Sequence, residues 1–257
     1  MKLFKVILIM ISLLITKIAF SESINIAFNI WCPWMCDNFE KPGLTIELVE
    51  NIFKTEGINV EFQKASWSIA INEVREGRIK GILAPAKIEA PDFIFSSEPV
   101  AYQQMCFYVK KSSKWLFKNT DSIKNMSLAI VQGANYPGMK EYFNKTHLSK
   151  NVKVNQISAE DVFNVGFKLL TNNECDSFVI DSITADNYLK SNYYTDQFKK
   201  VGCLKAENLY FALSPKDKEK SMKLIKIFNS NFLSIKLTDA YQKLYDKYGI
   251  QKWEIKN

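Results

Sequence analysis

The sequence predicts an α/β protein built in two lobes, each a mostly parallel sheet flanked by helices. Three observations carry this. Short apolar strands alternate with amphipathic helical stretches from residue 23 onward. The alternation runs as β-α-β-α-β, stops, and restarts near residue 127. The tail from Lys216 to Tyr248 then reads as helix, with Met222, Ile225, Ile227, Phe228 and Phe232 as its apolar positions.

In the first half, Ser23–Asn29 is an apolar-rich strand. Gly43 opens a helix in which Ile46, Val49, Ile52 and Phe53 recur on one face, and Gly57 stops it. Asn59–Gln63 alternates like a strand, and Ser68–Glu76 is a second helix with Ile71 and Val74 inward. Ile82–Ala84 and Gln104–Val109 are buried strands. Strand–helix–strand order implies parallel pairing with right-handed crossovers.

The second half repeats the logic without close sequence repetition. Ser127–Val131 is a strand, followed by the loop Gln132–Gly138 and a helix near Met139–Phe143. Val152–Gln156 is a strand, and Glu160–Leu170 a helix carrying Val162, Val165 and Leu169 on one face. Ser177–Ile180 is a strand that ends in Asp181, with a helix over Ile183–Ser191. Tyr210–Leu213 returns as a strand, and no low-complexity linker separates the halves.

The N-terminus reads as a secretory signal. Lys2 and Lys5 precede an apolar run over Val6–Ile15, and Ala19-Phe20-Ser21 supplies small residues for cleavage after Ser21. That run is short for a membrane span, which needs about 20 residues. The expected mature chain is therefore residues 22–257, exported and not stably inserted in a membrane. Cleavage removes three lysines, Lys2, Lys5 and Lys17, from a formal net charge of +7. The remaining cations are scattered lysines with two arginines, Arg75 and Arg78, which reads as a solvated surface and not a nucleic-acid face.

All five cysteines lie in that chain: Cys32, Cys36, Cys106, Cys175 and Cys203. Export permits disulfides, and an odd number leaves at least one thiol unpaired within the chain. Around Trp31-Cys-Pro-Trp-Met-Cys36, three readings compete. A redox pair needs two intervening residues beside a helix start, and here there are three. Cys32, Met35 and Cys36 are soft ligands suited to Cu(I), but no histidine pair joins them. A local disulfide, or two packed thiols, is the simplest reading. No metal or cofactor is expected.

The order of motifs resembles the family 3 solute-binding proteins, the amino-acid-binding branch of the bacterial periplasmic binding proteins. The matching points are Trp31-Cys-Pro-Trp34, Lys41-Pro-Gly-Leu44, Ser66-Trp67, Glu76-Gly-Arg-Ile-Lys-Gly-Ile-Leu83, Ala90-Pro-Asp-Phe-Ile-Phe-Ser-Ser-Glu-Pro99, Lys114-Trp115, Val131-Gln-Gly-Ala-Asn-Tyr136 and Phe178-Val-Ile-Asp181. The resemblance implies a two-lobed periplasmic binding protein fold of type II, with two hinge strands and the ligand held between the lobes. It implies lobe 1 over 22–108 and 211–257, lobe 2 over 109–210, and crossings near Phe107–Lys111 and Asn208–Ala212. It also implies a monomer that binds a small solute and hands it to an ABC permease. A sensory role feeding a receptor, or an enzyme on the same fold, are the alternatives.

The same site follows from sheet geometry, because open α/β sheets bind ligands beyond the carboxyl ends of their strands. Candidate ligand residues are Trp31, Trp34, Trp67, Lys87, Asn135, Tyr136 and Asp181. The three tryptophans offer flat walls for stacking or for a cation, with core packing as the competing use. Asp181 offers a carboxylate to a ligand ammonium or caps the helix that follows it. Asn135 and Tyr136 sit at a loop-to-helix start whose backbone N–H groups favour an anion.

One departure bears on the ligand. Amino-acid binders usually carry an arginine seven residues before the serine of Phe95-Ser96, and Glu89 stands there. Lys87 is the nearest cation, a point charge without the two-pronged geometry of arginine. For an enzyme, Glu89, Glu98 and Asp181 are the conceivable acid–base groups, and His147 lies in a lysine-rich polar stretch. No nucleophilic or metal-ligand constellation accompanies them, so no catalytic residue is assigned.

Overall fold

The structure, a computed structural model, describes residues 22–139 and 153–250. The expected signal peptide, His147, the first residue of the Val152–Gln156 strand and most of the expected Met139–Phe143 helix lie outside the described residues; Met139 itself sits in a turn.

Two five-stranded sheets flanked by helices form two lobes. The first contains β1 (Ser23–Phe28), β2 (Asn59–Lys64), β3 (Gly81–Ile82), β4 (Ile94–Gln103) and β10 (Glu207–Leu213), in the order β2-β1-β3-β10-β4. The second contains β5 (Met105–Lys110), β6 (Ser127–Val131), β7 (Lys153–Ile157), β8 (Ser177–Asp181) and β9 (Phe198–Cys203), in the order β7-β6-β8-β5-β9. β1 pairs in parallel with β2 and β3, and β6 with β7 and β8. Each sheet also holds one strand running the other way, β10 in the first and β5 in the second. Both reversed strands arrive from the opposite lobe, which is why each sheet is mixed and not purely parallel.

The chain leaves the first sheet at Gln104, between β4 and β5, and returns over residues 204–206, between β9 and β10. The boundaries expected at 108/109 and 210/211 fall inside β5 and β10. Two strands carried weak sequence signals. β4 contains Pro99, which an edge strand tolerates because its outward side needs no N–H donor. β9 carries Lys199 and Lys200 on the other edge, where lysine is common and apolar alternation is blunted.

Helices pack by their apolar faces. α1 (Leu44–Lys54) buries Leu44, Leu48, Val49, Ile52 and Phe53, and α2 (Trp67–Arg75) buries Trp67, Ala70, Ile71 and Val74. In the second lobe, α3 (Val162–Thr171) is capped by Asp161, whose side chain accepts from the Asn164 N–H. α4 (Ser182–Ser191) follows β8 directly. α5 (Lys218–Lys236) and α6 (Asp239–Tyr248) close over the first lobe, where Phe228, Phe232, Tyr241 and Tyr245 join Phe53 and Phe211 in one core. No helix of the described residues is long and apolar enough to cross a membrane.

Two disulfides stand near the lobe junction. Cys32–Cys36 closes the loop after β1, and Cys106–Cys203 joins β5 to β9 just past both crossings. Cys175 is a buried free thiol, and burial pushes it up to about 12.

Candidate ligand cleft

β1 lies between β2 and β3, and β6 lies between β7 and β8. The chain therefore reverses its winding beside β1 and beside β6, and ligands favour the carboxyl ends of strands at such switch points. In this protein those two edges face each other. The cleft between them holds a cavity of about 60 Å³, lined from the first lobe by Trp31, Trp67, Ala84 and Glu89, and from the second by Ala134, Phe163 and Asp181. Gln103, Met105 and Leu209, from the hinge strands, supply further lining.

The lobes are closed on one another. Asn29, at the end of β1, donates its amide to the Ala159 and Glu160 carbonyls at 3.2 and 3.0 Å. Lys64 pairs with Asp37 at 2.7 Å and reaches across to Glu160 at 3.4 Å. A cavity needs about 10–15 Å³ of such free space for each water it holds, so the closed cleft has room for a few water molecules.

The first-lobe wall is rigid because the loop after β1 is braced against the start of α1. Leu44 N–H donates to the Pro33 carbonyl at 3.0 Å. The Thr45 N–H and hydroxyl both donate to the Trp34 carbonyl, at 2.9 and 2.7 Å. This contact requires glycine at position 43: its φ is 115°, and a Cβ there would lie 2.4 Å from the Trp34 carbonyl oxygen. The brace divides the two tryptophans. Trp31 lines the cleft, whereas Trp34 is fully buried behind it, 5.7 Å away and edge-on to Tyr102 and Tyr245. Trp34 is therefore core and not cleft wall, and its indole N–H has no partner among the described residues.

Glu89 is the polar centre of this wall. Its carboxylate accepts from the Ala86 N–H at 2.7 Å, the Trp67 indole at 3.2 Å and, across the cleft, the Asn135 N–H at 2.6 Å. Burial pushes its carboxyl up to about 8, against the pull of those donors, and Glu207 adds repulsion. Glu207 stands at the hinge end of β10 and accepts from Gln103 at 2.6 Å and from the Asn135 side chain at 2.7 Å. Burial raises its carboxyl too.

Asp181 ends β8 and is buried at 1% exposure, yet its oxygens are committed. They accept from Gln104 N–H at 2.9 Å, and from the Thr184 N–H and hydroxyl at 3.0 and 2.8 Å; the Trp31 side chain adds a further hydrogen bond. Burial raises this carboxyl, and all four donors act against that rise. Asp181 both caps α4 and lines the cleft.

Two expected ligand residues face elsewhere. The Tyr136 hydroxyl accepts from Val131 N–H at 2.7 Å and donates to the Val179 carbonyl at 3.4 Å, so it braces the loop inside the second lobe. Lys87 is exposed, with Nζ 4.3 Å from the Tyr210 ring, and does not line the cavity. Sequence reasoning left out Gln103, Met105, Leu209 and Phe163 as cleft residues; only the hinge crossing, correctly placed, would have pointed to the first three.

The model of the bacterial extracellular solute-binding proteins, family 3, matches residues 32–251. A probable histidine-binding protein of Campylobacter jejuni is 25% identical over 211 residues, 81% of this chain and 77% of that protein. Among solved structures, a mutant of ArgBP from T. maritima superposes with a TM-score of 0.73 at 18% identity, over 88% of this chain and 95% of that one. An ABC uptake transporter substrate-binding protein from Streptococcus pneumoniae with bound histidine gives 0.72 at 22% identity, over 88% and 92%. The structures show a common fold.

Proposed function

This chain belongs to the bacterial extracellular solute-binding proteins of family 3, and from that premise we propose that it binds a small polar, amino-acid-like solute between its lobes and delivers it to an ABC transporter in the periplasm. One observation carries the reading. The carboxyl-terminal edges of two separately wound sheets face each other across a lined cleft whose floor is the hinge itself. Such a cleft opens and closes by small rotations at two short crossings, so ligand contacts on both lobes couple binding to closure. The name of the Campylobacter relative supports a solute of amino-acid size.

A thermal-shift screen of residues 22–257 tests this directly. Amino acids, polyamines, short peptides, sugars and metal ions would each be titrated. A saturable rise in melting temperature with one small solute is expected, because selective binding to the folded state stabilises it. Failure of every class to raise it would refute the binding role. Neighbouring genes for a permease and an ATPase would support transport over sensing.

A second reading, an enzyme on this fold, rests on one observation. A cleft carboxyl raised to about 8 is in the range of a general acid at neutral pH. Conversion of a bound solute, followed by NMR and abolished by Glu89→Gln, would establish it. Binding takes precedence because every bond to Glu89 uses it as an acceptor, the pattern of an anchored carboxylate.

A further inference from the structure

The charge of the cleft bears on what it can hold, given the binding role just proposed. Two ionisable side chains line it, Glu89 and Asp181, and both are acids. Both arginines are engaged elsewhere. Arg75 pairs with Asp92 at 3.0 Å and Arg78 with Glu73 at 2.7 Å, on the outer surface. Lys87 lies over Tyr210, off the cavity. Among the described residues, an incoming carboxylate would meet two acids and no cation.

Three donors able to hold an anion are already in use. Ala86 N–H, Trp67 indole N–H and Asn135 N–H converge from both lobes, and all three point at one carboxylate, that of Glu89. Convergent N–H donors from opposite walls are the means by which a closing cleft grips an anionic group. Here the protein's own Glu89 carboxyl occupies that place, and a bound cation would hold it in the carboxylate form that burial disfavours. A ligand carboxylate could take the place only by expelling Glu89 into a cleft that offers it no cation.

We propose that this cleft selects a small organic cation bearing no carboxylate, whose ammonium, amidinium or imidazolium group pairs with Glu89. Trp67, already bonded to Glu89, and Trp31, beside Asp181, give aromatic faces for the cation's carbon skeleton or charge. Glu207, which accepts from Gln103 and Asn135, adds negative potential at the hinge side. The small cavity favours a short ligand.

Four pairs of compounds isolate the carboxylate: putrescine and ornithine, cadaverine and lysine, agmatine and arginine, histamine and histidine. Each pair differs by that one group. Thermal shift and calorimetric titration of residues 22–257 should show at least one amine binding at least tenfold more tightly than its parent amino acid. Glu89→Gln should weaken that amine at least tenfold with an unchanged circular-dichroism spectrum; should the variant not fold, the paired comparison on the wild-type protein decides. An amino acid that binds as tightly as its amine, or more tightly, overturns the inference and leaves the solute-binding role intact. Silence from all eight compounds also overturns it, and the wider solute screen then judges the binding role separately.

Discussion

Two carboxylates, the half-buried Glu89 on the first lobe and the buried Asp181 on the second, meet the same cleft under different constraints. Asp181 takes three of its four hydrogen bonds from its own strand junction and helix start, at Gln104 and Thr184. Those partners stay in place if the lobes separate. Glu89 takes its shortest bond, 2.6 Å, from Asn135 on the opposite lobe, and that bond exists only when the cleft is shut. Both carboxyls are raised by burial. The difference is one of degree: Asp181 is held mainly by its own lobe, whereas the shortest bond to Glu89 crosses the cleft.

The largest expected effect separates the two by function. Glu89→Ala should reduce affinity for the favoured amine by about 2–5 kcal/mol, the cost of truncating one partner of a buried charge pair. Calorimetry reads this, and denaturant unfolding of the same variant should show a smaller loss of stability than Asp181→Ala, since it strands the Ala86 N–H and the Trp67 indole within one lobe. Asp181→Ala should do the reverse. Stranding the Gln104 and Thr184 donors should lower unfolding free energy by about 1–3 kcal/mol in urea titrations, with a smaller change in affinity than at Glu89. If the two variants exchange behaviours, the distinction between fold and cleft collapses.

A third expectation concerns pH. Glu89 has a carboxyl raised from 4.5 to about 8 in the closed cleft. A raised group binds its proton more tightly in the closed form, so closure is favoured fully below about 4.5 and that advantage fades as pH climbs through about 8. Glu207, facing it, and Tyr136, whose buried hydroxyl Glu89 pushes upward, are the titratable groups nearby. Interlobe fluorescence transfer on ligand-free protein should report a falling closed fraction over that window, and Glu89→Gln should flatten it. Asp181→Asn should leave the window in place.

The smallest effect sharpens the role of the aromatic wall. Trp67→Phe keeps a ring and removes one donor to Glu89. A neutral-donor hydrogen bond of this kind is worth about 0.5–1.5 kcal/mol. A few-fold loss of amine affinity is expected in the same titration, and a loss as large as that of Glu89→Ala would make the tryptophan the principal contact.

Much of the fold was legible because its signals are local. Apolar periodicity marks α1 through Ile46, Val49, Ile52 and Phe53, and apolar runs mark β6 and β8. The edge strands β4 and β9 were not, since Pro99 and the two lysines hide their alternation and only pairing across the sheet defines them. The resemblance to family 3 brought Trp31, Trp67, Asn135 and Asp181 to one cleft region. It could not tell Trp31 from Trp34, because the brace at Gly43 that turns one outward and the other inward depends on a contact with α1. Nor could residue types alone show that the acid at position 89 collects donors from both lobes. That depends on a loop 46 residues further along the chain.

The most direct measurement is a crystal structure of residues 22–257 grown with the tightest-binding amine of the four pairs, beside one grown with its parent amino acid. Glu89 is expected to stay bonded to the Asn135 N–H, with the ligand's cationic group within hydrogen-bond distance of that carboxylate. A ligand carboxylate seated on the Asn135 N–H, with Glu89 swung out of the cleft, would contradict it.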